Sequence, residues 1–72
     1  MNRKQAEAKV DELIANLRET RLEKGISHEK LANLTGLNRS TISLTESRKS
    51  QPTVLTLMLI ADALDVNLKE IL

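Results

Sequence analysis

The side chains of this chain that could take part in chemistry are mainly basic groups in its middle third. Residues 30 to 51 hold four basic side chains against one acid, namely Lys30, Arg39, Arg48 and Lys49 against Glu46. The residues after Gln51 carry three acids and one lysine. The net charge of the chain is only +1, but the excess of positive charge is concentrated in this one region. Clustered Lys and Arg are what a phosphate-binding surface requires.

Residues for other kinds of chemistry are missing from the sequence. One His, no Cys and no glycine-rich phosphate loop leave no credible nucleophile, general base or metal site. We therefore expect no enzyme activity, no cofactor and no small-molecule ligand. His28 has no partner ligands, so a surface histidine near phosphate is a better interpretation than a metal ligand. No apolar run reaches the ~20 residues that span a bilayer, and the N-terminus lacks a secretory apolar region. These features indicate a soluble cytoplasmic protein.

The elements that must position these side chains are helices. The chain has 72 residues and no Phe, Tyr or Trp, so its core must be built from Leu, Ile, Val, Ala and Met, which suits packed helices better than a sheet. We predict one all-α domain over residues 1–72, in which residues 1 to about 9 extend the first helix.

Apolar spacing and capping residues predict five helices. The first runs from about Ala6 to Lys24 and is ended by Gly25, with an apolar stripe that includes Leu17 and Leu22. Ser27, Asn38, Thr53 and Asn67 can cap the next four. Their expected inward residues are Leu31, Ala32 and Leu34 on the second helix, Ile42 and Thr45 on the third, and Val54, Leu57, Ile60, Ala61 and Leu64 on the fourth.

Residues 27–47, SHEKLANLTGLNRSTISLTES, predict a helix-turn-helix. Two helices can cross closely where a small residue, Ala32, permits contact and where Gly36 can take a positive φ angle. Leu31, Leu37 and Ile42 would fill the wedge between them.

This set of residues resembles the phage repressor and Cro type of helix-turn-helix domain, the XRE family. The resemblance covers roughly Val10 to Leu72 and includes the flanking stretches QPT and IADALDVNLKEIL. It implies a compact five-helix, lambda-repressor-like fold with the helix-turn-helix at helices 2 and 3. In that family the third helix lies in the DNA major groove and the second crosses the backbone above it.

The resemblance implies roles for exposed residues of the motif. Arg39 could contact guanine O6 and N7 together, Ser40 could bond a base edge, and Leu44 could pack on a thymine methyl group. The expected phosphate contacts are His28, Asn38, Thr41, Arg48, Lys49 and Ser50, which lie near helix N-termini or in the following loop. For Arg39 the alternative is a solvated helix residue.

Arg21 and Glu46 each fall on the buried stripe of a helix, where charges rarely lie unpaired. We predict an ion pair between them, which the resemblance also implies; the alternative is two solvated helix ends. Relatives commonly have glycine at the positions of Arg48 and Asp65, so both residues are expected to have a left-handed backbone. Thr45 replaces a usual branched apolar residue, and its hydroxyl is expected to bond the carbonyl four residues back.

Helix four has a second apolar stripe, formed by Leu55, Met58 and Leu59, at positions where relatives usually have polar residues. A helix that is apolar on two sides needs two partners. We predict a homodimer through this stripe, with Ile71 and Leu72 joining it. The alternative is that helix one folds over the stripe within the monomer.

These observations predict a sequence-specific DNA-binding regulator, working as a homodimer on an inverted repeat and most simply a repressor, in the cytoplasm and nucleoid of a bacterium or phage-infected cell. The alternative is a protein-interaction, adaptor or antitoxin role that uses the stripe on helix four. A nucleoid protein without sequence preference would need a more basic surface.

Overall fold

The computed structural model describes the backbone of residues 1–71 and the side chains of residues 1–70. Within that part the chain forms five α-helices and no strand: α1 (Arg3–Glu23), α2 (His28–Thr35), α3 (Arg39–Glu46), α4 (Val54–Ala63) and α5 (Leu68–Ile71). The predicted all-α five-helix class is confirmed. None of the described helices combines the length and apolar character needed to cross a membrane.

Helix α1 begins at Arg3, within the predicted extension and before the apolar stripe that starts near Ala6, because Asn2 caps it. The Asn2 side chain accepts from the Gln5 backbone N–H at 2.8 Å, and the Gln5 side chain accepts from the Asn2 N–H at 3.0 Å. This reciprocal capping box satisfies two N–H groups that would otherwise be free. At the other end Gly25 has φ 67°, and the Ile26 N–H returns to the Arg21 carbonyl at 3.0 Å, as expected for a glycine stop.

The helix-turn-helix forms as predicted. Ser27 caps α2 by accepting from the Lys30 N–H at 3.0 Å, and Gly36 ends it with φ 77°. The turn is closed by the Leu37 N–H, which donates to the Thr35 hydroxyl at 3.2 Å. Asn38 has the extended backbone of an N-cap for α3, but its side chain makes no capping hydrogen bond. The predicted capping contact of Asn38 is therefore not formed.

The core lies where α1, α2, α3 and α4 meet. Leu31, Ile42 and Leu64 are fully buried at its centre, and Leu17, Ala32, Ile60 and Ala61 surround them. Leu37 packs against this cluster from the turn. At ~25 cal/mol per Å² of buried apolar surface, each fully buried Leu or Ile contributes roughly 1.5–3 kcal/mol to the free energy of folding. These contacts hold α2 and α3 together where they cross.

Three apolar residues that were predicted to face inward are exposed, namely Leu22, Leu34 and Val54. Helical phase explains Leu22, which directly follows the buried Arg21 and is therefore rotated about 100° from it. In α1 the buried line continues from Leu17 to Arg21, and in α4 Thr56 takes the buried place nearest the start.

The second half of the chain follows its capping signals. Thr53 accepts from the Thr56 N–H at 3.0 Å at the start of α4, and Asn67 accepts from the Lys69 N–H at 3.0 Å at the start of α5. Between these helices Asp65 has φ 59°, and the Val66 N–H bonds the Ala61 carbonyl at 2.8 Å. The left-handed backbone predicted for Asp65 is confirmed.

Candidate nucleic-acid interface

The outward face of α3 is built by the same periodicity that buries its inner face. Ile42 and Thr45 are buried, whereas Arg39, Ser40, Ser43 and Leu44 are exposed. Arg39 and Ser40 are the first two residues of the helix, and Leu44 lies one turn beyond Ser40. The residues expected to read bases therefore share one solvent-facing surface. The Thr45 hydroxyl donates to the Thr41 carbonyl at 2.7 Å, the bond predicted for this buried threonine.

The opposite end of α3 is held by Glu46. Arg21 on α1 donates from Nε to Glu46 Oε2 at 2.7 Å and from Nη2 to Oε1 at 2.9 Å. The third Arg21 nitrogen, Nη1, donates to the Ile26 carbonyl at 2.8 Å. The two side chains are only 9% and 10% exposed. The structure thus brings together the pair expected from their helical positions, in the two-pronged geometry that gives strong charge-assisted bonds.

Further positive groups surround the same carboxylate. His28 Nε2, at the start of α2, lies 3.0 Å from Glu46 Oε1, and Arg18 Nε on α1 lies 3.8 Å from the same oxygen. Burial raises the pKa of Glu46, but hydrogen bonds from Arg21 and His28, and then their charges, outweigh it and hold that pKa below its ordinary value. Glu46 is therefore a carboxylate at neutral pH and joins α1, α2 and α3.

This contact changes the interpretation of His28, which was expected to stand free near phosphate. A carboxylate can only accept, so the proton of a neutral ring must lie on Nε2 and Nδ1 then carries a lone pair. A lone pair cannot donate to a phosphate oxygen. The side chain of His28 can bind Glu46 and phosphate together only when the ring is doubly protonated, whereas its backbone N–H remains available at the helix N-terminus.

Arg48 also has a partner within the chain that the sequence did not predict. Its Nε donates to Asp11 Oδ1 on α1 at 2.7 Å, and its Nη2 donates to Gln51 Oε1 at 3.3 Å. In this structure the guanidinium therefore faces α1 instead of standing free for phosphate. Its backbone has φ 61°, which confirms the predicted left-handed conformation. No sequence signal pointed to Asp11, since the two residues are 37 positions apart.

The other four expected phosphate contacts remain available. Asn38, Lys49 and Ser50 are exposed, and Thr41 is half-buried on the first turn of α3. Asn38 and Thr41 flank the N-terminus of α3, where unbonded N–H groups and the helix dipole favour anions. Lys49 and Ser50 follow its C-terminal end. The structure thus places candidate phosphate ligands at both ends of the exposed face of α3.

The second apolar stripe of α4 is open to solvent. Leu55 is 68% exposed and Met58 is 56% exposed, while Leu59 is half-buried. The alternative in which α1 folds over this stripe is therefore wrong for Leu55 and Met58. Val54, 73% exposed, adds to the same end of α4. The side chain of Ile71 and all of Leu72, which were predicted to join the stripe, lie outside the described residues.

Comparisons with known proteins agree with this geometry. A family model described as helix-turn-helix matches residues 17–71. The restriction-modification controller protein C.AhdI from Aeromonas hydrophila has a similar crystal structure, with a TM-score of 0.78 and 34% identity over 90% of this chain and 98% of that chain. A mutant of the restriction-modification controller protein C.Esp1396I gives a TM-score of 0.78 and 30% identity, over 88% of this chain and 82% of its own. No curated protein sequence gives a significant match.

Proposed function

Because the chain belongs to the XRE family of helix-turn-helix proteins and is a DNA-binding transcriptional regulator, we propose that it binds a short inverted repeat as a homodimer and represses transcription by occupying a promoter. The observation that carries this proposal is the division of α3 into two parts. Its first turn exposes Arg39 and Ser40, and its last residue, Glu46, is bound to α1 and α2. A rigidly held helix with a free polar end is what base reading in the major groove requires.

Arg39 is the principal base reader in this proposal. Its guanidinium can donate two parallel hydrogen bonds to guanine, a contact worth about 1–3 kcal/mol of discrimination. Ser40 can donate to or accept from a neighbouring base edge. Leu44 has no hydrogen-bonding group and instead packs on a thymine methyl group, which predicts an A·T pair beneath it.

The phosphate contacts in this proposal fix the position of α3 along the duplex. Asn38 and Thr41 bind phosphates of the DNA at the start of α3, and Lys49 and Ser50 bind phosphates after α3 ends. His28 contributes its backbone N–H at the start of α2. Since these groups do not read sequence, replacing Lys49 would weaken binding to every duplex and reduce the salt dependence by about 0.9 per half-site.

Leu55, Met58 and Leu59 form the dimer interface in this proposal. A second copy of the chain is the proposed partner because a two-fold axis pairs a surface with itself, so an apolar stripe on one copy meets the same stripe on the other. The two α3 helices would then enter successive major grooves about 34 Å apart. The likeness to two restriction-modification controllers suggests that the regulated genes belong to such a system.

Selection from a pool of random duplexes tests the DNA-reading part. We expect an enriched inverted repeat whose half-sites are centred one helical turn apart. Arg39→Ala should relax the sequence preference at one position of each half-site, whereas Lys9→Ala, which removes the same charge from the exposed surface of α1, should leave the preference unchanged. If no duplex is enriched even at low salt, the proposal is wrong, and the apolar stripe would then favour the adaptor role.

Sedimentation of two leucine variants tests the dimer. Leu55→Glu places a charge in the proposed interface, and Leu22→Glu makes the same change at an exposed leucine of α1. We expect Leu55→Glu to be monomeric and Leu22→Glu to be dimeric like the parent. A dimeric Leu55→Glu protein would exclude this interface. A promoter fused to a reporter gene, with and without the protein, then gives the sign of regulation.

A further inference from the structure

Arg48 performs two tasks at the end of α3. Its left-handed backbone, with φ 61°, lets the chain fold back so that the Lys49 and Ser50 N–H groups both bond the Leu44 carbonyl, at 3.0 and 3.4 Å. Glycine would adopt this conformation without strain, whereas a residue with a Cβ is strained there. A side chain at this position therefore needs a compensating role.

The compensating role is visible in the contacts of the guanidinium. Arg48 reaches back to α1 and donates to Asp11 at 2.7 Å, while it also holds Gln51 in its own loop. The arginine side chain is only 25% exposed. Its Nη1 is buried without a partner among the described residues. Burying the Arg48 guanidinium in these contacts costs more desolvation free energy than leaving it in solvent. The contacts hold the loop after α3 against α1.

Two ion pairs of opposite polarity thus connect α1 to the end of α3. In the first pair the basic residue, Arg21, belongs to α1 and its acidic partner is Glu46. In the second pair the acidic residue, Asp11, belongs to α1 and its basic partner is Arg48. Asp11 and Arg21 are ten residues apart in sequence, or about 15 Å along the helix axis. The first pair holds the last residue of α3, and the second holds the loop directly after it, so both are fixed against α1.

We propose that Asp11 is a positioning residue for DNA recognition. Through Arg48 it fixes the loop that carries Lys49 and Ser50, so that these groups meet the phosphates while α3 lies at the correct angle in the groove. This inference rests on the proposed DNA-reading function. Arg48 then stays bound to Asp11 when the protein is on DNA as well as when it is free, and it makes no contact with phosphate.

Amide hydrogen exchange on the free protein tests the positioning without DNA. Asp11→Ala should speed the exchange of the Lys49 and Ser50 amides roughly two- to five-fold, the range for an ion pair with one exposed partner. The matched control is Glu12→Ala, which removes the same charge from the neighbouring residue of α1; Glu12 is exposed and has no ion pair among the described residues. Equal exchange in the two variants would overturn the proposal.

Binding to the enriched duplex gives the second readout, with Glu12→Ala again as control. Asp11→Ala should bind roughly 4- to 25-fold more weakly than Glu12→Ala, because both half-sites are affected, and the two salt dependences should be equal. Tighter binding with a salt dependence steeper by about 0.9 per half-site would mean that Asp11 withholds Arg48 from phosphate, and would overturn the proposal.

A charge exchange separates a lost contact from a lost residue. The double variant Asp11→Arg with Arg48→Asp keeps the pair with reversed polarity, and aspartate tolerates the left-handed backbone. It should restore the slow exchange of the Lys49 and Ser50 amides, and failure to restore it would contradict the role of the pair. If the parent protein enriches no duplex, the proposed function fails, while the exchange experiment still decides whether Asp11 orders the loop.

Discussion

Replacing Glu46 by alanine should destabilise the protein more than any exposed change of charge. The substitution removes the acceptor of two Arg21 hydrogen bonds and leaves a guanidinium whose side chain is 9% exposed. Breaking a buried pair from one side typically costs about 3–5 kcal/mol, since the remaining charge stays buried. Arg21 keeps its bond to the Ile26 carbonyl, so the lower end, about 3 kcal/mol, is the better expectation.

That cost is large for a chain of this length. A domain of 72 residues has a total unfolding free energy of roughly 4–11 kcal/mol at the usual stability per residue. One kcal/mol corresponds to about 4–8 °C in melting temperature at this size. The melting temperature of Glu46→Ala should therefore fall by roughly 12–24 °C.

Thermal and urea unfolding followed by circular dichroism in the far ultraviolet measure this change, with Glu12→Ala as the control for removing an acid. If Glu46→Ala fails to fold, the double variant Arg21→Met with Glu46→Ala keeps the test open, because it also removes the buried charge and should recover part of the stability. A melting temperature for Glu46→Ala within about 2 °C of the control would refute the reasoning that the pair holds α3 to α1.

Three further changes test other parts of the structure. The pKa of Glu46 is lowered in the folded state, so its contribution to stability is present above the unfolded pKa of about 4.3 and is lost as pH falls through the folded value. The unfolding free energy of Glu46→Gln, measured from neutral to strongly acidic pH, should therefore fall less steeply with acid than that of the parent protein. Parallel curves for the two proteins would contradict this. Thr45→Val should leave the melting temperature unchanged or raise it, because the Thr41 carbonyl keeps its helical bond when the buried hydroxyl is removed; a loss above about 1 kcal/mol would show that the hydroxyl is needed. Gly36→Ala should cost about 1 kcal/mol in urea unfolding, since the φ of 77° disfavours a Cβ although nothing lies within 4 Å of the added atom, and an unchanged midpoint would show that the turn relaxes.

Local signals in the sequence predicted the frame of the molecule. Ser27, Thr53 and Asn67 cap the helices that follow them, and Gly25 and Gly36 end the helices before them, because capping depends on neighbours within four residues.

Contacts between distant residues were only partly predictable. Arg21 and Glu46 could be paired because both interrupt apolar stripes, an anomaly visible in the pattern. Asp11 lies among other acidic residues on the solvent-exposed face of α1 and does not interrupt the apolar stripe of that helix. The sequence pattern therefore gives no indication of its contact with Arg48. The bond from His28 to Glu46 was missed for a similar reason, since a polar residue at a helix start fits solvent or phosphate equally well.

The separation of the two ends of α3 also bears on how such proteins diversify. Glu46 carries the attachments of the helix, whereas the side chains of Arg39, Ser40 and Leu44 make no hydrogen bond or ion pair within the described part of the chain. Substitutions at these three positions therefore leave the scaffold intact. If these three side chains read bases as proposed, one fold can accumulate paralogues that do not cross-regulate one another, because a new binding preference then needs only surface mutations and no compensating change in the core.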